Sequence, residues 1–193
     1  MSDTIDPRQT ALLVMDYQNG IVGSYDVAEE MKRTADAITT VRARGGRIGY
    51  VRVGFTDADF DAVPATSQFA AMLTPERRPA MHADSPGTAV HDDLAPEPGD
   101  IVVRKSRVGA FSTTDLDEQL RAAGVTTLIL AGISTSGVVL STVRDGADRD
   151  YRLVVLADAC ADPAPGVHEF LVEKVFPRQA QVTTTAQLSE LLG

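Results

Sequence analysis

Residues 128–145 read LILAGISTSGVVLSTVRD, and this stretch decides how the rest of the chain is interpreted. An apolar run ends at Gly132, four small or polar residues follow at 134–137, and a segment with helical spacing comes next. This order predicts a buried strand that delivers a tight turn to the amino end of a helix. In open α/β sheets ligands bind at the carboxyl ends of strands, and the N–H groups of a helix start can hold a negative oxygen. The stretch therefore predicts an α/β fold and the edge of the sheet where a site lies.

Two other predicted strands end in a charged residue. The run ALLVM at 11–15 is followed by Asp16, and IVVR at 101–104 is followed by Lys105. A carboxylate just past a buried strand is partly desolvated and can transfer protons, while a lysine there can hold an anion and lower the pKa of a neighbouring carboxylate. The alternatives are an aspartate that caps a turn and a solvated lysine at the start of a loop. An acid, a cation and an anion-holding turn on three strand ends together indicate an active site.

The whole chain alternates apolar strand-type runs with helical patterns. This predicts a three-layer αβα, Rossmann-like fold, with a six-stranded, mostly parallel sheet and helices on both faces, in a single domain over residues 1–193. Segment 55–99 has six prolines and little periodicity, which predicts either a covering loop that helps form the pocket or a surface excursion without a role. Predicted strands are 11–15, 47–53, 101–104, 127–131, 152–156 and 180–183; predicted helices are 28–44, 114–123 (with Thr113 as a candidate N-cap), 138–150, 165–174 and 186–191.

The composition narrows the class of partner. A net charge of −9 and a pI of about 4.7 disfavour nucleic acid and anionic membranes as partners. No stretch approaches the roughly 20 apolar residues of a membrane span, and the start MSDTIDPRQT has no secretory signal pattern. The one cysteine, Cys160, excludes an internal disulfide and fits a reducing compartment. We therefore expect a cytoplasmic protein that acts on a small molecule.

Three segments and the tail match the isochorismatase-like (cysteine hydrolase) superfamily, which the chain resembles over most of its length. They are ALLVMDYQNG, VVRKSRVGAFSTTDL and GISTSGVVLSTVRDGADRDYRLVVLADACAD, with the tail HEFLVEKVFPRQAQVTTTAQL. The resemblance implies that Asp16 is the proton-transfer residue and Lys105 the second catalytic residue. Many members, such as nicotinamidases and other amidohydrolases, carry a nucleophilic cysteine in the third motif, and counting without gaps from Gly132 to Asp158 places that position at Val138. The chain thus looks like a member without that cysteine, as isochorismatases proper are.

The resemblance also implies a set of substrate-binding residues around these motifs and a homo-oligomer, a dimer or tetramer. The apolar, proline-bearing segment 170–177 is a candidate for its interface. A non-proline cis peptide is implied at Ile133-Ser134, where it aims backbone N–H groups at the substrate. The set also contains Gln18, Arg107, Phe111, Ser136 and Gly137. For Gln18 the alternative is a polar turn residue of no further role.

Neither a metal nor an organic cofactor is expected. Metal-binding nicotinamidases carry an Asp-x-His-His cluster after the second strand, whereas VRVGFTDADFDAVP at 51–64 contains no histidine. Its alternating aspartates can bind a hard cation weakly, but a solvated acidic loop is the better interpretation. The histidines, His82, His91 and His168, are scattered, and nothing matches a phosphate-binding glycine loop or a dinucleotide fingerprint.

Three functions stay open. In the first, Asp16 protonates a substrate as in vinyl-ether hydrolysis, water adds to the resulting cation, and Lys105 fixes a carboxylate or orients the acid; no thiol is needed. In the second, activated water or Ser134 or Ser136 of the turn hydrolyses an amide or imide, although no serine–histidine pair is evident. In the third, the chain is an inactive relative. Cys160 lies 22 positions beyond Val138 and is interpreted as a small buried hydrophobe.

Overall fold

The computed structural model describes residues 4–193, and its centre is one six-stranded sheet. The strand order is β3-β2-β1-β4-β5-β6, and every pair in the described chain is parallel, which confirms the predicted fold class. The strands are β1 Thr10–Met15, β2 Arg47–Val53, β3 Ile101–Lys105, β4 Thr127–Ile133, β5 Arg152–Ala161 and β6 Gln181–Thr183.

Helices cover both faces of this sheet. Along β1, Leu12 and Val14 face the core under the helices at 28–43 and 185–191, whereas Leu13 and Met15 face the core under those at 116–122 and 140–148. Full burial of each such side chain stabilises the fold by roughly 1.5–3 kcal/mol. The α-helices are α1 Asn19–Val22, α2 Ala28–Ala43, α3 Asp57–Asp61, α4 Arg78–Met81, α5 Leu116–Ala122, α6 Leu140–Asp148, α7 Val167–Phe170 and α8 Thr185–Leu191. The 3₁₀ turns are Pro7–Gln9, Gln68–Met72, Pro86–Thr88, Asp92–Leu94 and Phe176–Arg178, and the π-helical turns are Thr135–Val139 and Leu171–Val175.

Several predicted boundaries need correction. Strand β5 runs on to Ala161, because it pairs again with β4 after a register shift beyond Leu130. The helix predicted at 138–150 begins only at Leu140, since a π-helical turn comes first, and the one predicted at 165–174 is divided between α7 and a second π-helical turn. Thr113 is not the N-cap of α5: its hydroxyl accepts a hydrogen bond from the Ser106 N–H at 3.0 Å.

The proline-bearing segment 55–99 has a small apolar core of its own. Phe55, Phe60 and Leu73 are buried together, and the first two rings stack with centroids 5.1 Å apart. The far end of the segment pairs with the chain that follows β1, where the His91 N–H donates to the Tyr17 carbonyl at 2.9 Å. The segment thus lies against residues next to Asp16.

Among residues 4–193, no helix combines the length and apolar composition that crossing a bilayer requires.

Candidate functional site

The sheet brings Asp16 and Lys105 into contact. Asp16 directly follows the central strand β1, and Lys105 is the last residue of β3, two strands away. Their charged atoms, Lys105 Nζ and Asp16 Oδ2, are 2.9 Å apart, and the side chains are only 3% and 8% exposed. Asp16 has a positive φ of 60°, which aspartate tolerates better than most residues, and its N–H donates to the Val51 carbonyl at 2.8 Å. The positive φ and this hydrogen bond fix the direction in which the backbone leaves β1, and with it the position of the Asp16 carboxylate.

Burial controls the protonation of Asp16. Burial raises the pKa of Asp16 to about 6, although the Lys105 ammonium acts in the opposite direction. Lys105 Nζ also donates to the Arg107 carbonyl at 3.2 Å. Asp16 Oδ1 is buried and, among the described residues, has no hydrogen-bond partner. Asp16 can therefore gain or lose a proton near neutral pH, and one of its oxygens is not committed to the protein.

The turn after β4 has the expected backbone. The Ile133-Ser134 peptide is cis, and the π-helical turn Thr135–Val139 begins directly after it. A Cβ atom on Gly137 would lie 2.7 Å from Ser134 Oγ, so a side chain at this position would displace Ser134. Val138 is 2% exposed and belongs to the main apolar core.

Two residues from the segment after β5 hold this turn, and sequence reasoning missed both interactions. The Ser136 N–H donates to Asp162 Oδ2 at 2.7 Å, and Thr135 Oγ1 lies 2.9 Å from His168 Nδ1. A hydroxyl–histidine pair is thus present, but on the fully buried Thr135 rather than on a serine. The partners are 26 and 33 residues apart along the chain, so no local spacing indicated them.

Gln18 serves the backbone of its neighbours. Its Oε1 accepts from the Val53 N–H at 2.7 Å, and its Nε2 donates to the carbonyls of Val53 and Thr88 at 2.7 and 2.8 Å. Because its amide is occupied on both sides, Gln18 joins the chain after β1 to the end of β2 and to segment 55–99, and its place in a substrate pocket stays a prediction.

Phe111 lies in the core rather than beside the ion pair. Its ring stacks on Tyr151 with centroids 6.1 Å apart, and the Arg149 guanidinium lies 5.0 Å from its centroid. Tyr151 directly precedes β5, so this contact is with the amino end of that strand, away from the edge that carries Asp16. These contacts give Phe111 a packing role, and its part in shaping the pocket stays a prediction.

Arg107 is held by carbonyl oxygens of neighbouring loops. Its guanidinium donates to the Ser106 carbonyl at 2.6 Å and to the Ala62 carbonyl at 3.4 Å. Its backbone carbonyl, which accepts from Lys105, is what connects it directly to the ion pair.

Cys160 is not placed for nucleophilic chemistry. It is 2% exposed on β5, and burial raises the pKa of its thiol to about 12. A thiol that stays protonated at neutral pH is a poor nucleophile. Within residues 4–193, no three His, Cys, Asp or Glu side chains are grouped as metal ligands.

Comparison with known proteins identifies the family. The family model "Isochorismatase domain" matches residues 10–187. The chain is 37% identical over 180 residues to a ureidoacrylate amidohydrolase, RutB, of Methylorubrum extorquens, covering 83% of this chain and 73% of that protein. The structure matches an isochorismatase family protein from Burkholderia thailandensis with a TM-score of 0.84 and 32% identity, covering 98% and 97% of the two chains. It matches an N-carbamoylsarcosine amidase from Thermoplasma acidophilum with a TM-score of 0.75 and 26% identity, covering 92% and 96%.

The chain therefore belongs to the isochorismatase family. Within that family it is a hydrolase.

Proposed function

We propose that this hydrolase acts on a small carboxylated molecule by attack of water, without a covalent intermediate on cysteine. The observation that carries the proposal is the buried pair of Asp16 and Lys105, in which Asp16 Oδ1 has no partner in the described chain. A buried polar atom without a partner is costly, and a substrate group or its proton would satisfy it.

Asp16 is the proton-transfer residue in this proposal. With a pKa of about 6, its carboxyl group is protonated in a useful fraction of molecules near neutral pH and can act as a general acid. Transfer of its proton to the carbon–carbon double bond of a vinyl ether gives an oxocarbenium ion, to which water adds, and the proton that the water loses returns to Asp16. The hemiketal so formed then breaks its C–O bond, with transfer of its hydroxyl proton to the departing oxygen, and gives a carbonyl compound and an alcohol. Lys105 orients the Asp16 carboxylate and attracts an anionic substrate group to the same place.

Water is the favoured nucleophile because the turn hydroxyl that has a histidine beside it, Thr135 Oγ1, is fully buried. Counting within the third motif places the family's cysteine position at Val138, whose side chain has no polar atom. The only cysteine of the sequence, Cys160, is buried on β5 with a raised pKa. In the described chain, the hydroxyls of Ser134 and Ser136 make no hydrogen bond to a histidine or a carboxylate, since Asp162 accepts from the Ser136 backbone N–H and not from its hydroxyl.

Hydrolysis of an amide is the second candidate, and the comparisons favour it. Two relatives are named for ureidoacrylate and N-carbamoylsarcosine, both of which carry a carboxylate beside a carbamoyl nitrogen. For such a substrate, ionised Asp16 would take a proton from the attacking water and then give it to the departing nitrogen. The developing oxyanion would lie at the turn Ser134–Gly137, where the N–H groups of Ser136 and Gly137 would exchange their present acceptors, Asp162 Oδ2 and the Ser134 carbonyl, for it.

We also propose that the enzyme works in the cytoplasm as a homo-oligomer, a dimer or tetramer. Phe170, which is 60% exposed at the end of α7, supports an interface that includes segment 170–177. Sedimentation of the wild type and of Phe170→Ser tests this: a wild-type monomer would contradict it.

One set of rate measurements tests both the mechanism and the reaction. Wild type and Asp16→Asn are assayed with carboxylated vinyl ethers and with N-carbamoyl amino acids. Asp16→Asn should lose activity by about 10²- to 10⁴-fold, which is the usual contribution of general acid–base catalysis. A wild-type rate that falls as the pH rises above about 6 indicates the acid role, whereas a rate that falls below about 6 indicates the base role. Iodoacetamide should leave the wild type active, and unchanged turnover in Asp16→Asn would refute the proposal.

A further inference from the structure

Two arginines lie side by side on the face of the sheet opposite to Lys105. Arg52 of β2 and Arg104 of β3 are register partners. Because side chains alternate along a strand, Val102 and Arg104 project from one face of β3 and Val103 and Lys105 from the other. The arginine pair is therefore separated from the Lys105 side chain by the sheet itself.

Of the two arginines, only Arg104 forms an ion pair with a carboxylate of the described chain. Arg104 Nη1 lies 2.7 Å from Asp59 Oδ2, an ion pair, and also donates to the Gly54 carbonyl. Arg52 has no carboxylate oxygen within 4.0 Å among residues 4–193; its Nη1 donates to the Ala83 and Thr88 carbonyls at 2.9 and 3.4 Å. Its Nε and Nη2 groups make no hydrogen bond within the described chain, which leaves three N–H donors unused.

The surroundings of Arg52 disfavour the positive charge of its guanidinium. Burial and then the like charge of Arg104 lower the pKa of the Arg52 guanidinium, and Asp84 opposes this from a greater distance. An anion bound at the unused N–H groups would offset both effects.

A cleft opens beside the guanidinium. Its volume is about 450 Å³, which is enough for a small organic ligand. Its walls are largely apolar, and Val102, an exposed valine of the edge strand β3, is one of them. Val90, Pro86 and Pro96 also line the cleft, together with the acidic residue Asp84.

We propose that this cleft binds a small monocarboxylate with an apolar body, as a second ligand site apart from Asp16 and Lys105. Nε and Nη2 of Arg52 present parallel N–H groups of the kind that bind a carboxylate with two hydrogen bonds. The valine and proline walls accept the apolar body, because burying it removes apolar surface from water. Asp84 disfavours a second negative charge on the ligand, so phosphate and dicarboxylates should bind less well.

The test is an NMR titration of ¹⁵N-labelled protein, with calorimetry for affinity. The probes are phenylacetate, its uncharged analogue phenylacetamide, and inorganic phosphate. Phenylacetate should bind saturably and shift the amide signals of Arg52, Val90 and Val102, whereas phenylacetamide and phosphate should bind at least about tenfold more weakly, as expected when a charged hydrogen-bonded pair is lost. Absence of saturable binding, or shifts confined to Asp16 and Lys105, would overturn the proposal.

Variants assign the binding to the guanidinium. Arg52→Gln should weaken phenylacetate binding at least about tenfold, and Arg33→Gln, which removes the same charge from an exposed position of α2, should not change it. Arg52→Gln also removes the hydrogen bonds to the Ala83 and Thr88 carbonyls, so a second variant is needed that leaves those bonds intact. Val102→Asp does so, and because it places a carboxylate in the cleft it should also weaken phenylacetate binding. Full affinity in either cleft variant, or tight binding of an acidic peptide where phenylacetate fails, would show that the site is not the one proposed.

Discussion

Replacing Lys105 with methionine isolates the electrostatic balance of the buried pair. Lys105→Met keeps an unbranched apolar side chain but removes the ammonium that lies 2.9 Å from Asp16 Oδ2. Both side chains are nearly inaccessible, at 3% and 8% exposure, so water cannot take the place of the lost charge. Only burial then acts strongly on Asp16, and its pKa should rise above the wild-type value of about 6.

The magnitude follows from the linkage between protonation and folding. In the wild type the folded pKa of about 6 exceeds the ordinary value of 3.8, a difference equivalent to about 3 kcal/mol. Because the folded state holds the proton more tightly, this stabilisation is complete below pH 3.8 and is lost as the pH rises through about 6. In Lys105→Met the loss should continue above pH 6 at about 1.4 kcal/mol per pH unit, up to the new pKa. An unpaired buried charge costs about 3–5 kcal/mol, which bounds the total effect.

Urea unfolding at pH 6, 7 and 8 measures this difference. The free energy of unfolding of Lys105→Met should fall with pH more steeply than that of the wild type. Lys32→Met, at an exposed lysine of α2, is the matched control and should follow the wild type. The double variant Asp16→Asn/Lys105→Met lacks the Asp16 carboxyl group. Its free energy of unfolding should therefore not show the additional fall with pH that is expected of Lys105→Met. A Lys105→Met curve parallel to the wild type above pH 6 would refute the reasoning.

Three further predictions concern the turn after β4. Val138→Cys should create amidase activity that iodoacetamide blocks; no gain would contradict the alignment that places the nucleophile position there. Thr135→Val should cost about 1–3 kcal/mol in urea unfolding and lower turnover, because the hydrogen bond of 2.9 Å between the fully buried Thr135 and the half-buried His168 is lost. Thr135→Ser keeps the hydroxyl and should retain most stability, so equal losses in both variants would argue against the hydrogen bond. Gly137→Ala should lower turnover by displacing Ser134 Oγ, which a Cβ would approach to 2.7 Å, and Ser134→Ala in that background should restore part of it; absence of rescue would count against this contact.

Much of the fold could be predicted because strand-type apolar runs are local signals. Strand β2 has the predicted bounds, and the other strands begin within one residue of prediction. The end of β5 was missed because the polar Asp158 interrupts the apolar pattern before Cys160 pairs again with Gly132. The contacts of Gln18 and Phe111 could not be predicted for a different reason: their partners are remote in the sequence, so nothing near either residue indicates what it contacts.

The sequence by itself determined that Asp16 and Lys105 each follow an apolar run, and parallel strands then place both at one edge of the sheet. Only the tertiary structure decided that their charged atoms meet at 2.9 Å and that Asp16 Oδ1 is left buried without a partner in the described chain. It likewise decided that burial outweighs the Lys105 charge and raises the pKa of Asp16. The physical reason is that the hydration of a side chain depends on every residue packed around it, and those residues come together only when the chain folds.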